Sequence, residues 1–330
     1  MNRPDQTEEN ELRVRACLEA HYGIHGKLAR LPGENLNYRV TTGAGDRYVF
    51  KIVDDDMPPA VVEMENAVIE HALSADFPYQ LPRIIKNLQG KIETGIKLLE
   101  TPANRSRLLS FVDGKQLDSL TDISSQMRFE IGKFLAEFNF VMAGFDHPAA
   151  HRNHRWSLAE ADQHRPKIAL FNDPHLQDLL GRTFDFWAGA KIILAELPHQ
   201  VIHGDAHGEN VLIRDEHIVG LVDFGDCCFN PVICELGVCL PYLMMEQDDP
   251  LTNAGEIIAG YHSRRPLSIA ERSVLLPLIC ARLAVTVCVS EERRSIDPHH
   301  PNWFGSTGAA RRLLEWLFQH RAEARKSLLL

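Results

Sequence analysis

Three oxygen-bearing side chains in one stretch carry the chemistry this chain can do. Asp205 precedes Asn210 by five positions, and Asp223 follows. Each lies beside a short apolar run: residues 211–213 read as one strand and 218–222 as its hairpin partner. Carboxylates and an amide gathered at one end of a hairpin supply oxygen ligands for a hard divalent cation and, through it, a phosphate. Lys51 adds a cation in the middle of a strand. Its stem can lie along the sheet while the ammonium reaches a cleft. The blander alternatives are two polar turns capping buried strands and a surface lysine on a half-wet strand.

The elements around these residues change in texture along the chain. A helix is expected over 8–21, with Leu12, Ala16 and Leu18 on its inner side. Strands follow at 24–31, 36–41 and 47–53. The first two are joined by a turn containing Gly33 and Asn35, and the second and third by Gly43, Ala44, Gly45 and Asp46. In the third strand Tyr48, Phe50 and Ile52 alternate with Val49, Lys51 and Val53. Pro58 and Pro59 open a helix that runs to about 75 and carries Glu63, Glu65 and Glu70. Strands at 81–85, 90–99 and 107–112 complete a small antiparallel sheet. From Ser119 onward the pattern turns helical, with expected helices at 124–142, 176–197, 232–245, 251–263, 268–290 and 307–323. The fold class is therefore α+β, in two lobes: a β-rich lobe over 1–110 and a mainly helical one over 111–330.

Bulk properties exclude several classes. At 330 residues the chain is long enough for two cores, and 45% hydrophobic with 24% charged residues is ordinary globular usage. A formal net charge of −10 argues against a nucleic-acid partner. The seven cysteines are odd in number, and Cys234 and Cys239 fall in a helical apolar pattern, so buried thiols in a reducing compartment are expected. His147, His151, His154 and His164 match no metal-ligand spacing. The polar, acidic N-terminus is neither a signal nor a transit peptide. No apolar run is expected to span a bilayer; residues 273–289 come nearest, interrupted by Arg282. The expected location is cytoplasmic, with no membrane partner, and the oligomeric state stays open.

The spacing His203-x-Asp205-x-x-x-x-Asn210, followed by Asp223-Phe224-Gly225, resembles the catalytic and magnesium loops of kinases. With Lys51, His207, Asp226 and the turn at Gly33, the sequence resembles the aminoglycoside phosphotransferase and choline kinase family, of protein-kinase-like fold. Within it the similarity is greatest to hydroxylysine kinases and related amino-alcohol kinases, through Arg107 to Leu109, Glu235 and Ala281 to Leu283 among others. Ala206, Gly208 and Glu209 depart from the family's common Leu and Pro-Gly, at positions that do not bind metal. No Ala-Pro-Glu segment follows Asp223, which ranks protein-kinase activity low.

The resemblance implies a phosphotransferase with an alcohol acceptor. Asp205 would be catalytic, accepting the substrate hydroxyl's hydrogen bond. Asn210 and Asp223 would hold Mg2+. Lys51 would steady the phosphates of ATP or GTP with one of three glutamates as partner, Glu65 preferred, while Gly33 and Asn35 cover the nucleotide. Backbone groups of Ser110 to Val112 would face the base. An amino-acid substrate needs charged partners: Asp226 and Glu235 offer negative charge, and Arg282 a fork for a carboxylate. Against this, Glu235 could simply cap its helix, Arg282 could neutralise Glu235 or Asp226, and Trp156 and Trp303 could pack rather than line a cleft. Hydroxylysine-like acceptors are favoured, with homoserine, choline, ethanolamine and aminoglycosides open, and a non-catalytic nucleotide-binding module as the alternative class.

Overall fold

The computed structural model describes residues 4–31, 36–53, 57–98, 104–300 and 303–329. Gly33 and Asn35 lie outside the described residues. The chain divides into two compact units, Met1–Glu70 with Leu81–Val112, and His71–Gln80 with Asp113–Leu330.

The first unit opens with α1 (Pro4–Tyr22) and then forms β1 (Gly26–Arg30), β2 (Asn37–Thr42), β3 (Arg47–Val53), α2 (Pro59–Ser74), β4 (Ile84–Ile85), β5 (Glu93–Ile96) and β6 (Asn104–Ser110). All strand pairs are antiparallel, in the order β1-β2-β3-β6-β4, with β5 also on β6. Its core joins Val14, Cys17 and Leu18 of α1 to Tyr38, Val40, Phe50, Ile52 and Leu108 of the sheet. The inner face of α1 keeps the expected Leu18 but not the other two expected residues. Leu12 is 64% exposed and Ala16 is exposed as well. The apolar residues of this helix are few, so the sheet's shape rather than helical periodicity selects Val14 and Cys17.

The second unit begins with β7 (Lys115–Gln116), α3 (Ser125–Val141), a 3₁₀ segment (Leu158–Leu170), α4 (Pro174–Leu194), β8 (His199–Ile202), β9 (Val211–Arg214), β10 (His217–Leu221) and β11 (Cys228–Pro231). It continues with α5 (Cys234–Met244), α6 (Pro250–Arg264), α7 (Ile269–Ile296), α8 (Thr307–Gln319) and α9 (Arg321–Leu329). The helix starts follow local chemistry. Ser124 caps α3, Asp173 and Asp249 cap α4 and α6 ahead of Pro174 and Pro250, and Ser268 with Glu271 forms a reciprocal capping box on α7. Residues 71–80 belong here because His71 bonds the Val141 carbonyl, Phe77 and Tyr79 pack on Phe134, and Gln80 pairs with the edge of β10.

Helix α7 meets the length and composition of a membrane span, contrary to expectation. Its most apolar window is 94% buried inside the fold, as expected of a core helix. Helices α3 and α6 cross at contact distance. A Cβ on Gly132 would lie 1.9 Å from the Ile257 carbonyl oxygen, and one on Gly260 1.9 Å from that of Phe129. All seven cysteines are buried free thiols.

Strands β9 and β10 form the hairpin read from the apolar runs, with β7 on the outer edge of β9. Its two-residue turn is Asp215 and Glu216, both left-handed at φ 49° and 59°. Turns of this hand favour Asn and Gly, and a left-handed non-glycine residue costs about 1–2 kcal/mol. Glu216→Gly is expected to raise the unfolding free energy by about 1 kcal/mol, read from the urea midpoint. An unchanged or lower midpoint would show that the turn carries no such strain. The short pair β8–β11, with Pro231 at its end, was not anticipated.

Candidate active site

The loop between β8 and β9 is held from behind. Glu235, in the first turn of α5, is fully buried. Its carboxylate accepts the amides of His203 at 2.8 Å and Gly204 at 3.2 Å, and the side-chain amide of Asn139 at 3.2 Å. Tyr261 of α6 donates to Asn139 at 2.6 Å. Burial pushes the Glu235 carboxyl up to about 7, against the pull of these three donors. Glu235 is thus a loop-holding group and has no surface for a substrate, which corrects the substrate role expected for it. Gly204 is left-handed at φ 75°, and a Cβ there would meet the Asp226 carbonyl oxygen at 2.7 Å. Only glycine lets the two loops approach so closely.

His203 is buried and bridges the loops. Its Nδ1 accepts the Asp205 amide, so Nε2 carries the proton and donates to the Val222 carbonyl at 3.1 Å. Burial lowers its pKa and keeps it neutral. The Val222 amide in turn donates to the Asn210 carbonyl at 3.0 Å, which brings Asp223 beside the β8–β9 loop. Asp223 is exposed and left-handed at φ 61°, an uncommon state for a non-glycine residue and one that marks functional turns. Arg152 pins the same turn through the carbonyls of Gly225 and Cys227.

Asp205 is gripped on both oxygens. Oδ1 accepts from Arg282 Nη2 at 2.9 Å and faces His207 Nε2 at 3.2 Å; Oδ2 accepts from Asn210 Nδ2 at 2.8 Å. Burial alone would raise its pKa, but His207 and Arg282 outweigh it and hold the carboxyl at about 2. Burial likewise opposes protonation of His207, and the Asp205 carboxylate overrides it and raises that pKa. The His207 ring stacks on Tyr242 at 4.0 Å between centroids. Arg282 therefore neutralises Asp205 rather than Glu235 or Asp226. Asp226 pairs with His154 at 3.0 Å. The Trp156 ring packs against Arg282 and Arg293, and Arg293 also lies over Trp303.

The donors in this unit fit a hard cation. Asn210 and Asp223 offer oxygen only, and among the described residues no three His, Cys, Asp or Glu side chains form a metal cluster. Two protein oxygens suit a Mg2+ whose remaining ligands come from phosphate and water.

In the first unit, Lys51 and Arg107 are register partners on β3 and β6, so both side chains leave the same sheet face. Glu65 is buried on α2, whereas Glu63 and Glu70 are exposed. The Glu65 carboxylate accepts from Arg107, which also bonds the Asn66 side chain. The Ser110 amide is taken by the Arg83 carbonyl and the Phe111 amide by that of Arg47, while the Val112 side chain is buried. Those two amides are thus committed within the unit. Arg107, Arg152, His154 and Tyr242 were not among the expected site residues; Arg107 had entered only through the resemblance at Arg107 to Leu109, and His154 only as a histidine without ligand spacing.

With this geometry in view, residues 27–268 match the phosphotransferase enzyme family. The chain belongs to that family and is a small-molecule kinase. It is similar to hydroxylysine kinase of Mus musculus, 24% identical over 326 residues, covering 89% of this chain and 85% of the relative. It is also similar to homoserine kinase of Hyphomonas neptunium, 26% identical over 265 residues, covering 75% and 74%. Among solved structures, amicoumacin kinase in complex with AMP-PNP, Ca2+ and Ami shares the fold, with a TM-score of 0.71, 15% identity and 96% of each chain covered.

Proposed function

We propose that this kinase transfers the γ-phosphate of ATP or GTP to the hydroxyl of an amino alcohol or hydroxy amino acid, with hydroxylysine-like acceptors favoured. The observation that carries the reading is the Asp205 carboxylate, ionised and fixed on both oxygens at the head of an oxygen-donor loop.

Such a carboxylate is far too weak a base to strip an alcohol beforehand. It accepts the hydroxyl's hydrogen bond and aims the oxygen. In a loose phosphoryl-transfer transition state the proton leaves late, so aim matters more than basicity. Asn210 and Asp223 would hold Mg2+, which when bound neutralises phosphate charge. Lys51, the register partner of the Glu65-bound Arg107, is read as a ligand of the donor's phosphates, and Gly33 and Asn35 as nucleotide-covering residues. Asp226 offers a negative partner for the acceptor's ammonium. The relatives named for hydroxylysine and homoserine both act on hydroxy amino acids by name, which supports this acceptor class and keeps homoserine as the second reading.

A nucleotide-consumption panel with ATP and GTP tests the proposal. Hydroxylysine is expected to give the highest kcat/KM among hydroxylysine, homoserine, choline, ethanolamine and an aminoglycoside. A preference for homoserine would move the assignment to the second reading. Consumption independent of every acceptor would overturn both.

A further inference from the structure

Arg282 sits on α7 at 2% exposure, and both of its terminal nitrogens are engaged. Nη2 donates to Asp205 Oδ1 at 2.9 Å and to the Tyr242 hydroxyl at 3.2 Å. Nη1 donates to the Trp156 carbonyl at 3.3 Å. The rings of Trp156 and Tyr242 lie 4.8 Å and 5.4 Å from the guanidinium carbon. Nε is buried without a partner.

A carboxylate grips a guanidinium at two points along one edge. The available edges are Nε with Nη2 and Nη1 with Nη2, since the side-chain stem blocks the third. Both contain Nη2, and Nη2 is committed to Asp205. The second Nη2 hydrogen is held by the Tyr242 hydroxyl, so a substrate carboxylate could take either fork only by displacing Asp205 or Tyr242 from a guanidinium that is already buried.

We infer that Arg282 is a positioning residue for Asp205 and not the receptor of a substrate's carboxylate. This rests on the proposed role of Asp205. Arg282 anchors Oδ1 and leaves Oδ2, now on Asn210, as the oxygen that turns to the acceptor hydroxyl. His207 shares the anchoring and is itself backed by Tyr242. It follows that Arg282 does not distinguish a hydroxy amino acid from the amino alcohol lacking its carboxylate.

The test measures kcat and KM for such a pair, equal in hydroxyl and ammonium, with wild type, Arg282→Met and Arg282→Lys. In the Met variant kcat should fall on the order of 100-fold for both acceptors, the scale of a small misplacement of a reacting group, while both KM values hold. Lysine, able to reach Asp205 but not the other acceptors, should recover part of kcat equally for both. A selective rise in KM for the hydroxy amino acid, with kcat kept, would make Arg282 a carboxylate receptor and overturn the inference. An unchanged kcat in the Met variant would reduce Arg282 to packing. Should Arg282→Met show no cooperative unfolding transition, Arg282→Lys decides by the same pattern. A wild type inactive on every hydroxyl acceptor would overturn the function reading instead.

Discussion

Asp205→Ala is expected to remove phosphoryl transfer, by on the order of 10³-fold or more in kcat, while nucleotide binding survives. The loss comes from two sources. The hydroxyl loses the carboxylate that aims it, and Asn210 loses the Oδ2 contact at 2.8 Å that fixes its own orientation. Stability also falls, because Arg282 is left as a buried cation without its carboxylate. Breaking such a pair costs about 3–5 kcal/mol, and the lower end applies here because Asp205 is 21% exposed. Asp205→Asn is the companion variant, keeping shape and a hydrogen-bond acceptor while removing charge. Nucleotide binding is read by thermal shift, and transfer by phosphorylated product. Turnover near wild type in Asp205→Ala would end the assignment of Asp205.

Gly260→Ala, with Gly132→Ala facing it, should be among the most disruptive single methyls in the second unit. Its Cβ would stand 1.9 Å from the Phe129 carbonyl oxygen and 2.7 Å from the carbonyl carbon. Backbone cannot step aside as a flexible side chain does, so α3 and α6 must separate. Overpacking of this kind costs about 3 kcal/mol or more. The damage does not stop at stability. Tyr261, the next residue, donates to Asn139 of α3, and Asn139 donates to Glu235, which holds the His203 and Gly204 amides. Separating the helices slackens that chain, so kcat should fall in whatever fraction remains folded. Denaturant midpoint and active-site-normalised turnover measure the two effects. A wild-type midpoint would show that the crossing has slack.

What could be read from residues alone follows a physical division. Local periodicity identified the β3 alternation around Lys51, the β9–β10 hairpin and the helical character after Ser119. The α1 face was right at Leu18 but not at Leu12 and Ala16, because the sheet chose Val14 and Cys17. Strand β11 escaped because Cys228 to Pro231 is short and ends in a proline. The loop motif named Asp205, Asn210 and Asp223 by spacing. Their supports come from far along the chain: Glu235 lies 31 residues from Gly204, and Arg282 lies 77 from Asp205. No local pattern could assign Arg282 to Asp205 rather than to a nearer acid. The reciprocal glycines of α3 and α6 are likewise features of a crossing, invisible in either helix by itself.

The seven cysteines, expected and found as buried thiols, have one more consequence. All are buried, and burial pushes the thiols of Cys228, Cys280 and Cys288 up to about 12, away from the thiolate that reacts. Electrophiles and oxidants therefore meet sulfur only when helices or strands part. Any covalent mark these residues acquire is a record of opening, which makes the sulfur inventory a chemical memory of how often the fold has come undone.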